Sequence, residues 1–261
     1  MAEIVVIQNK RAAGDLIAAS IRGLIEAKPD AVLGLATGST PMPVYSALAR
    51  SFTERPLDVS RVRGFALDEY VGLPTGHPES YRAVIARDVV TPLGLNPANV
   101  HVPNGDLATL STAGADYERA LTAAGGVDIQ LLGIGRTGHL GFNEPSSSFA
   151  SITRVKTLAP KSRADNARFF DSPSDVPVHC ITQGLGTILR ARHLVLLAFG
   201  ANKASVIAEA VEGSLSASAP GTAIQLHPHV TVVVDEEAAS NLANLDYYKY
   251  IWANRLPWET L

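Results

Sequence analysis

One cysteine, Cys180, stands in 261 residues, so no internal disulfide framework is available, and its apolar neighbours read it as a buried, inert thiol. No apolar run approaches the ~20 residues that a membrane helix needs. The start, Met-Ala-Glu-Ile-Val, has neither the basic segment nor the apolar core of a secretory signal. Long runs of like charge are also missing: 22 Lys+Arg and 25 Asp+Glu interleave to a net charge of -3, which argues against a nucleic-acid surface or a polybasic membrane patch. Any bound anion must therefore be held by local cations. The one close histidine pair, His227 and His229, has no Cys, Asp or Glu at ligand spacing, so no metal site is expected. Internal repeats, low-complexity segments and linkers are absent as well. The expectation is a soluble, cytoplasmic protein of one domain, for which 46% hydrophobic and 18% charged residues supply an ample core.

What is there is an alternation of apolar runs and amphipathic stretches. Residues 4–7 (Ile-Val-Val-Ile) read as a strand, and residues 12–27 carry Leu16, Ile17, Ile21, Leu24 and Ile25 at helical spacing. Strands are expected again over 31–35, 63–67, 99–102, 127–132, 193–199 and 230–234, with helices from Pro41 and over 79–89, 112–123, 200–212 and 236–242. Residues 151–156 alternate like an exposed strand or connecting segment, and 161–170 read as a lid helix or a plain surface helix. This order predicts an α/β fold, single-domain over 1–261, with a mostly parallel, Rossmann-like sheet covered by helices on both faces. A lid over about 158–185 and an aromatic tail over 245–261, docked on the body or on a neighbouring subunit, complete the expectation.

In such sheets ligands bind beyond the carboxyl ends of the strands, and three of these ends carry chemistry. After residues 31–35 comes Ala-Thr-Gly-Ser-Thr-Pro, with Thr40 as expected N-cap and Pro41 at the first helical position. Thr37, Gly38, Ser39 and Thr40 would then meet an anion with free N–H groups and hydroxyls; plain helix capping is the alternative. It is neither a Walker loop nor a dinucleotide fingerprint. After residues 63–67 comes Asp68-Glu69-Tyr70, where Asp68 is a candidate proton acceptor from carbon, or a helix cap or ion-pair partner. After residues 127–132 comes Gly-Ile-Gly-Arg-Thr-Gly-His-Leu-Gly-Phe-Asn-Glu-Pro, which brings His139 and Glu144 onto one loop as candidates to move a proton and to orient the group that does; a helix-capping glutamate and a solvated histidine are the alternative. Lys203, on a first helical turn against the macrodipole, is explained by an anion held there or is simply solvated. Arg168 is the most interesting cation of its segment.

Five blocks in one order, residues 37–41, 67–74 (Leu-Asp-Glu-Tyr-Val-Gly-Leu-Pro), 138–145, 166–171 (Asn-Ala-Arg-Phe-Phe-Asp) and 224–228 (Ile-Gln-Leu-His-Pro), resemble the glucosamine-6-phosphate deaminases over nearly the whole chain. The resemblance implies an aldose–ketose isomerisation that converts glucosamine 6-phosphate to fructose 6-phosphate and ammonia, without metal or organic cofactor. It implies Asp68 as the base working between C2 and C1, His139 as the ring-opening acid/base, Glu144 as its orienter, and residues 37–40, Arg168 and Lys203 as the phosphate cradle. Thr137 departs from it, standing where many members have an aspartate, so altered ring opening or an altered pH profile is expected.

Ser147, Ser148, Arg154 and Lys156 match positions that bind N-acetylglucosamine 6-phosphate between subunits of hexameric members, which implies a homohexamer with an allosteric phosphosugar site. The rivals are a deaminase for another amino sugar phosphate, a 6-phosphogluconolactonase, and a non-catalytic phosphosugar sensor.

Overall fold

The computed structural model describes residues 3–256 and 261. Its strands are β1 (Glu3–Ile7), β2 (Val32–Leu35), β3 (Arg63–Ala66), β4 (Asp68–Tyr70), β5 (Val100–His101), β6 (Ile129–Gly133), β7 (Arg154–Thr157), β8 (His179–Thr182), β9 (His193–Ala198) and β10 (Val230–Asp235). Seven of them form one parallel sheet in the order β1-β10-β9-β6-β2-β3-β5. All of β9 is buried, and since successive side chains point to opposite faces, both faces of the sheet are covered there. The helix Lys10–Ala27 shows how the cover is made: Asn9 caps it through Ala12 N at 3.0 Å, and Ala13, Ile17, Ile21 and Ile25 form its buried stripe.

The strand order fixes where a ligand can sit. From β2 the chain winds outward through β3 and β5, returns to β6 beside β2, and then winds the other way through β9 and β10. The reversal opens a crevice between the carboxyl ends of β2 and β6. The loops at 36–41 and 134–145 leave from these two ends.

A second sheet, β4-β8-β7, is antiparallel and was not expected. Leu67 N still bonds Leu35 O at 3.1 Å, but Leu67 O accepts from Gln183 N at 2.8 Å, and from Asp68 the chain pairs with β8. Residues 68–70, expected as a loop end, are thus a strand buried at every position. Residues 154–157 are strand β7, overlapping the region 151–156 read as an exposed strand or connecting segment.

Other expectations shift in detail. Pro41 takes the N-cap position with helical backbone and the helix is Met42–Glu54, so Thr40 is not its cap. The expected helix over 79–89 starts at Tyr81, capped by Ser80, and passes through a wider turn at Ala86–Val90. Within the expected lid over about 158–185, the helix Pro160–Asn166, the turn Ala167–Phe169 and Phe170 lean on the crevice, whereas β8 and the helix Leu185–Ile188 are largely buried. The tail contains the helix Leu245–Ala253, whereas residues 257–260 lie outside the described residues. Among the described residues, no helix is long and apolar enough to cross a membrane.

Candidate active site

The crevice holds a cavity of about 680 Å³, the usual size for a small-molecule site. Asp68, His139, Arg168, Lys203 and all of residues 37–40 line it, so residues far apart in the chain meet at one place. Thr137 and Glu144 stand behind His139, off the wall.

The loop after β6 is shaped around the imidazole. Gly135 N bonds His139 O at 2.9 Å, and a Cβ on Gly135 would lie 2.1 Å from the ring, so only glycine fits beneath it. His139 Nδ1 lies 3.1 Å from Glu144 Oε1 and 2.9 Å from Thr137 Oγ1, and the same hydroxyl donates to Glu144 Oε2 at 2.7 Å. Ser162, from the roof helix Pro160–Asn166, donates to Glu144 Oε1. Burial alone would raise the Glu144 carboxyl, but the hydrogen bond and charge of His139, with the Ser162 and Thr137 hydroxyls, outweigh it and hold the group down at about 2. Nδ1 is occupied on this side, which leaves Nε2 for the cavity.

Asp68 is the opposite case. It is buried, lines the cavity, and accepts no hydrogen bond from the described residues. Burial, reinforced by the neighbouring Glu69, pushes its carboxyl up to about 8. Glu69 does structural work instead: it takes the backbone N–H groups of Tyr70 and Tyr81 at 2.8 Å and of Arg82 at 2.9 Å, fixing the start of the next helix to β4. A buried carboxylate without hydrogen-bond donors is a strong base once ionised.

On the other side the loop at 37–40 turns through Gly38, whose φ of 86° suits glycine, into the helix Met42–Glu54. Lys203 follows β9 and donates to Ile134 O at 2.6 Å, tying itself to the end of β6. Burial, then Arg136 nearby, lowers its ammonium from the ordinary lysine value. Arg168 lies over the Phe169 ring at 4.7 Å and also lines the cavity. A helix start with three cations, Arg136, Arg168 and Lys203, is suited to a phosphate dianion.

Further lining residues include Arg136, Tyr81, Asn166 and Ser162, to which the sequence assigned no role. Arg136 lay inside the glycine-rich run and was legible there as a cation on a ligand loop. Asn166 opened the block 166–171 without a role of its own, and Tyr81 and Ser162 carried no such signal. Tyr81 stacks on Phe142 at 6.1 Å and meets Tyr70, whose hydroxyl accepts from Asn166 Nδ2 at 2.9 Å, so an aromatic wall flanks Asp68.

The histidine pair lies elsewhere: His229 stacks on His193 with centroids 3.7 Å apart, and His227 contacts the Ala191 carbonyl at 2.7 Å. Among the described residues, no group of three or more His, Cys, Asp or Glu is placed to hold a metal. Ser147 is buried with its Oγ 3.4 Å from Arg154 Nη2, Ser148 is exposed, and Arg154 and Lys156 share one side of β7.

Comparison with known proteins gives the chain's family. Residues 8–233 match the family described as glucosamine-6-phosphate isomerases/6-phosphogluconolactonase. The chain is 59% identical to a glucosamine-6-phosphate deaminase of Bifidobacterium longum subsp. infantis, over 99% of each chain. With one of Pseudarthrobacter chlorophenolicus it shares 54% identity, over 98% of this chain and 99% of that one. A solved monomeric glucosamine-6-phosphate deaminase superposes with a TM-score of 0.89 at 39% identity, covering 92% of this chain and 100% of the other. The 6-phosphogluconolactonase from Trypanosoma cruzi reaches 0.73 at 20% identity, with 93% and 97% covered, a likeness of fold alone.

Proposed function

The chain belongs to the family of glucosamine-6-phosphate isomerases/6-phosphogluconolactonases, and from that premise we propose that it deaminates glucosamine 6-phosphate to fructose 6-phosphate and ammonia. The observation that carries the reading is Asp68: a buried carboxylate without a hydrogen-bond partner among the described residues, sharing one cavity with a histidine and a set of cations.

The sugar phosphate docks through its dianion on residues 37–40, Arg168 and Lys203, with Arg136 as a further cation. Held remotely, the phosphate positions the reacting carbons without taking part in their chemistry. His139 opens the pyranose by taking the C1 hydroxyl proton on Nε2 and passing it to the ring oxygen as the bond between C1 and that oxygen breaks, while Thr137 and Glu144 fix the imidazole from behind. Asp68 then takes the proton from C2 while the substrate's ammonium gives one of its own to the C1 oxygen, so the C1 carbonyl becomes an enaminol. The same carboxyl returns a proton to C1, leaving an imine at C2. Water adds to this imine and ammonia departs, so a single water is consumed and no redox partner is required. The substrate's ammonium beside Asp68 favours its ionised form, which offsets the burial that raises it in the empty site.

Regulation and assembly are further parts of the proposal. The positions of Ser147, Ser148, Arg154 and Lys156 suit a second phosphosugar, N-acetylglucosamine 6-phosphate, with the two cations on one side of the edge strand β7 supplying charge for it. A homohexamer is proposed with that site; the monomeric state of one solved deaminase makes sedimentation the deciding measurement. A cytoplasmic location is proposed because phosphorylated sugars are retained there by membranes. The reaction itself is tested by ammonia release from glucosamine 6-phosphate, its galactosamine epimer and, in parallel, hydrolysis of 6-phosphogluconolactone. Turnover of the first supports the reading, turnover of the lactone alone overturns it, and saturable binding without turnover identifies a sensor.

A further inference from the structure

Ser162 stands outside every block of the family resemblance, yet it donates to Glu144 Oε1, the oxygen that lies 3.1 Å from His139 Nδ1. It comes from the roof helix Pro160–Asn166, whereas Glu144 and His139 belong to the loop between β6 and β7. We propose that Ser162 is a positioning residue which couples the seating of the roof helix to the orientation and tautomer of the His139 imidazole. Its kinetic consequence rests on the deaminase reading above; its structural content does not.

Counting protons carries the argument. Ionised Glu144 only accepts. Thr137 has one hydroxyl proton and two neighbours, Glu144 Oε2 at 2.7 Å and His139 Nδ1 at 2.9 Å. The carboxylate is the stronger acceptor and takes it, which leaves a lone pair of Thr137 facing Nδ1. Nδ1 therefore carries hydrogen, shared between Thr137 Oγ1 and Glu144 Oε1, and Nε2 is the nitrogen that exchanges a proton with substrate. The Ser162 proton competes with Nδ1–H for Oε1. With the roof seated, part of the carboxylate's charge is drawn off by Ser162; with the roof lifted, that charge falls wholly on the imidazole.

The same helix grips the opposite wall. Asn166, four residues on and so on the same helical face, donates to Tyr70 Oη at 2.9 Å, on the strand that bears Asp68. Arg163 Nη2 bonds Val176 O at 2.8 Å and ties the helix to the chain returning toward β8. One element thus touches the supports of both the base and the acid. Two uncharged hydroxyls, Thr137 and Ser162, surround the carboxylate, and the roof supplies one of them.

The test uses the full-length chain with Ser162→Ala and Ser162→Thr. Nitrogen-15 NMR of the histidines reads the His139 ring without turnover. Asp68, Asp165, Arg136, Arg168 and Lys203 line the cavity with His139 and remain unchanged in both variants. The wild type is expected to show hydrogen on Nδ1, and Ser162→Ala to move the His139 titration midpoint upward by about one pH unit. Ammonia release should lose about tenfold in kcat with KM little changed, and Ser162→Thr should restore both readouts. An unmoved midpoint in Ser162→Ala overturns the proposal, as does a raised KM at constant kcat, which would make Ser162 a simple ligand contact. Should the wild type release no ammonia, the deaminase reading fails, and the NMR comparison still decides the role of Ser162.

Discussion

Two carboxylates serve one cavity, and their surroundings push them in opposite directions. Glu144 is also partly buried, but a histidine and two hydroxyls face it and keep it ionised down to about 2. Asp68, with no donor among the described residues and Glu69 beside it, is raised by burial to about 8. What separates them is the count of donors and the sign of nearby charge, not burial as such. A supported carboxylate is an orienter; a bare one is a base that holds its proton until substrate arrives.

The largest effect that sharpens this contrast comes from Asp68→Asn, expected to cut turnover by a factor on the order of 10²–10⁴ while substrate binding persists in calorimetry. Glu144→Gln should cost less, about 10-fold to 100-fold, because Thr137 and Gly135 still hold the ring; equal losses in both variants would erase the distinction between base and orienter. Lys203→Met or Arg168→Met should raise KM about tenfold, with a smaller change in kcat, read from initial rates of ammonia release.

The pH dependence follows from the same contrast. Asp68 must be ionised to act, so kcat/KM should rise with pH and level off above about 8. In kcat that limb should lie lower, since the bound ammonium favours the carboxylate. Stability runs the other way for this group. An unfolded aspartate titrates near 3.9, roughly, so between that value and about 8 the folded state binds the extra proton and stability falls as pH rises. Glu144 is the mirror image: its contribution is present above the unfolded glutamate value and is lost as pH falls toward about 2. The smallest expected effect is therefore in denaturant midpoints, where the wild type should lose more stability than Asp68→Asn between about pH 6 and about pH 9, the window that brackets the raised group. Equal losses would contradict a buried, raised Asp68.

The parallel core was legible because its signals are local. The apolar run at β9, the β-branched β10 and the periodic helix Lys10–Ala27 each announce themselves within a few residues. The loops carrying Gly38 and His139 were legible for the same reason, since glycine at a strand end marks a turn where backbone is offered to a ligand. The antiparallel sheet was not. Asp68 pairs with Thr182, and that partner is set by the whole chain rather than by neighbouring residues. Thr40 was misread as a cap because Pro41, with a helical φ of -80°, takes the N-cap place itself. Ser162 was invisible because a serine on a short polar helix looks like any surface residue until the fold brings Glu144 beneath it.

The central claim is that Asp68 is the base, and deuterium at C2 of glucosamine 6-phosphate reports on it most directly. With the wild type in ordinary water, ammonia release should be accompanied by loss of the C2 deuterium to Asp68 and partly to solvent; Asp68→Asn should bind the sugar and leave the label in place. Wash-out and ammonia release by Asp68→Asn at close to the wild-type rate would contradict the account.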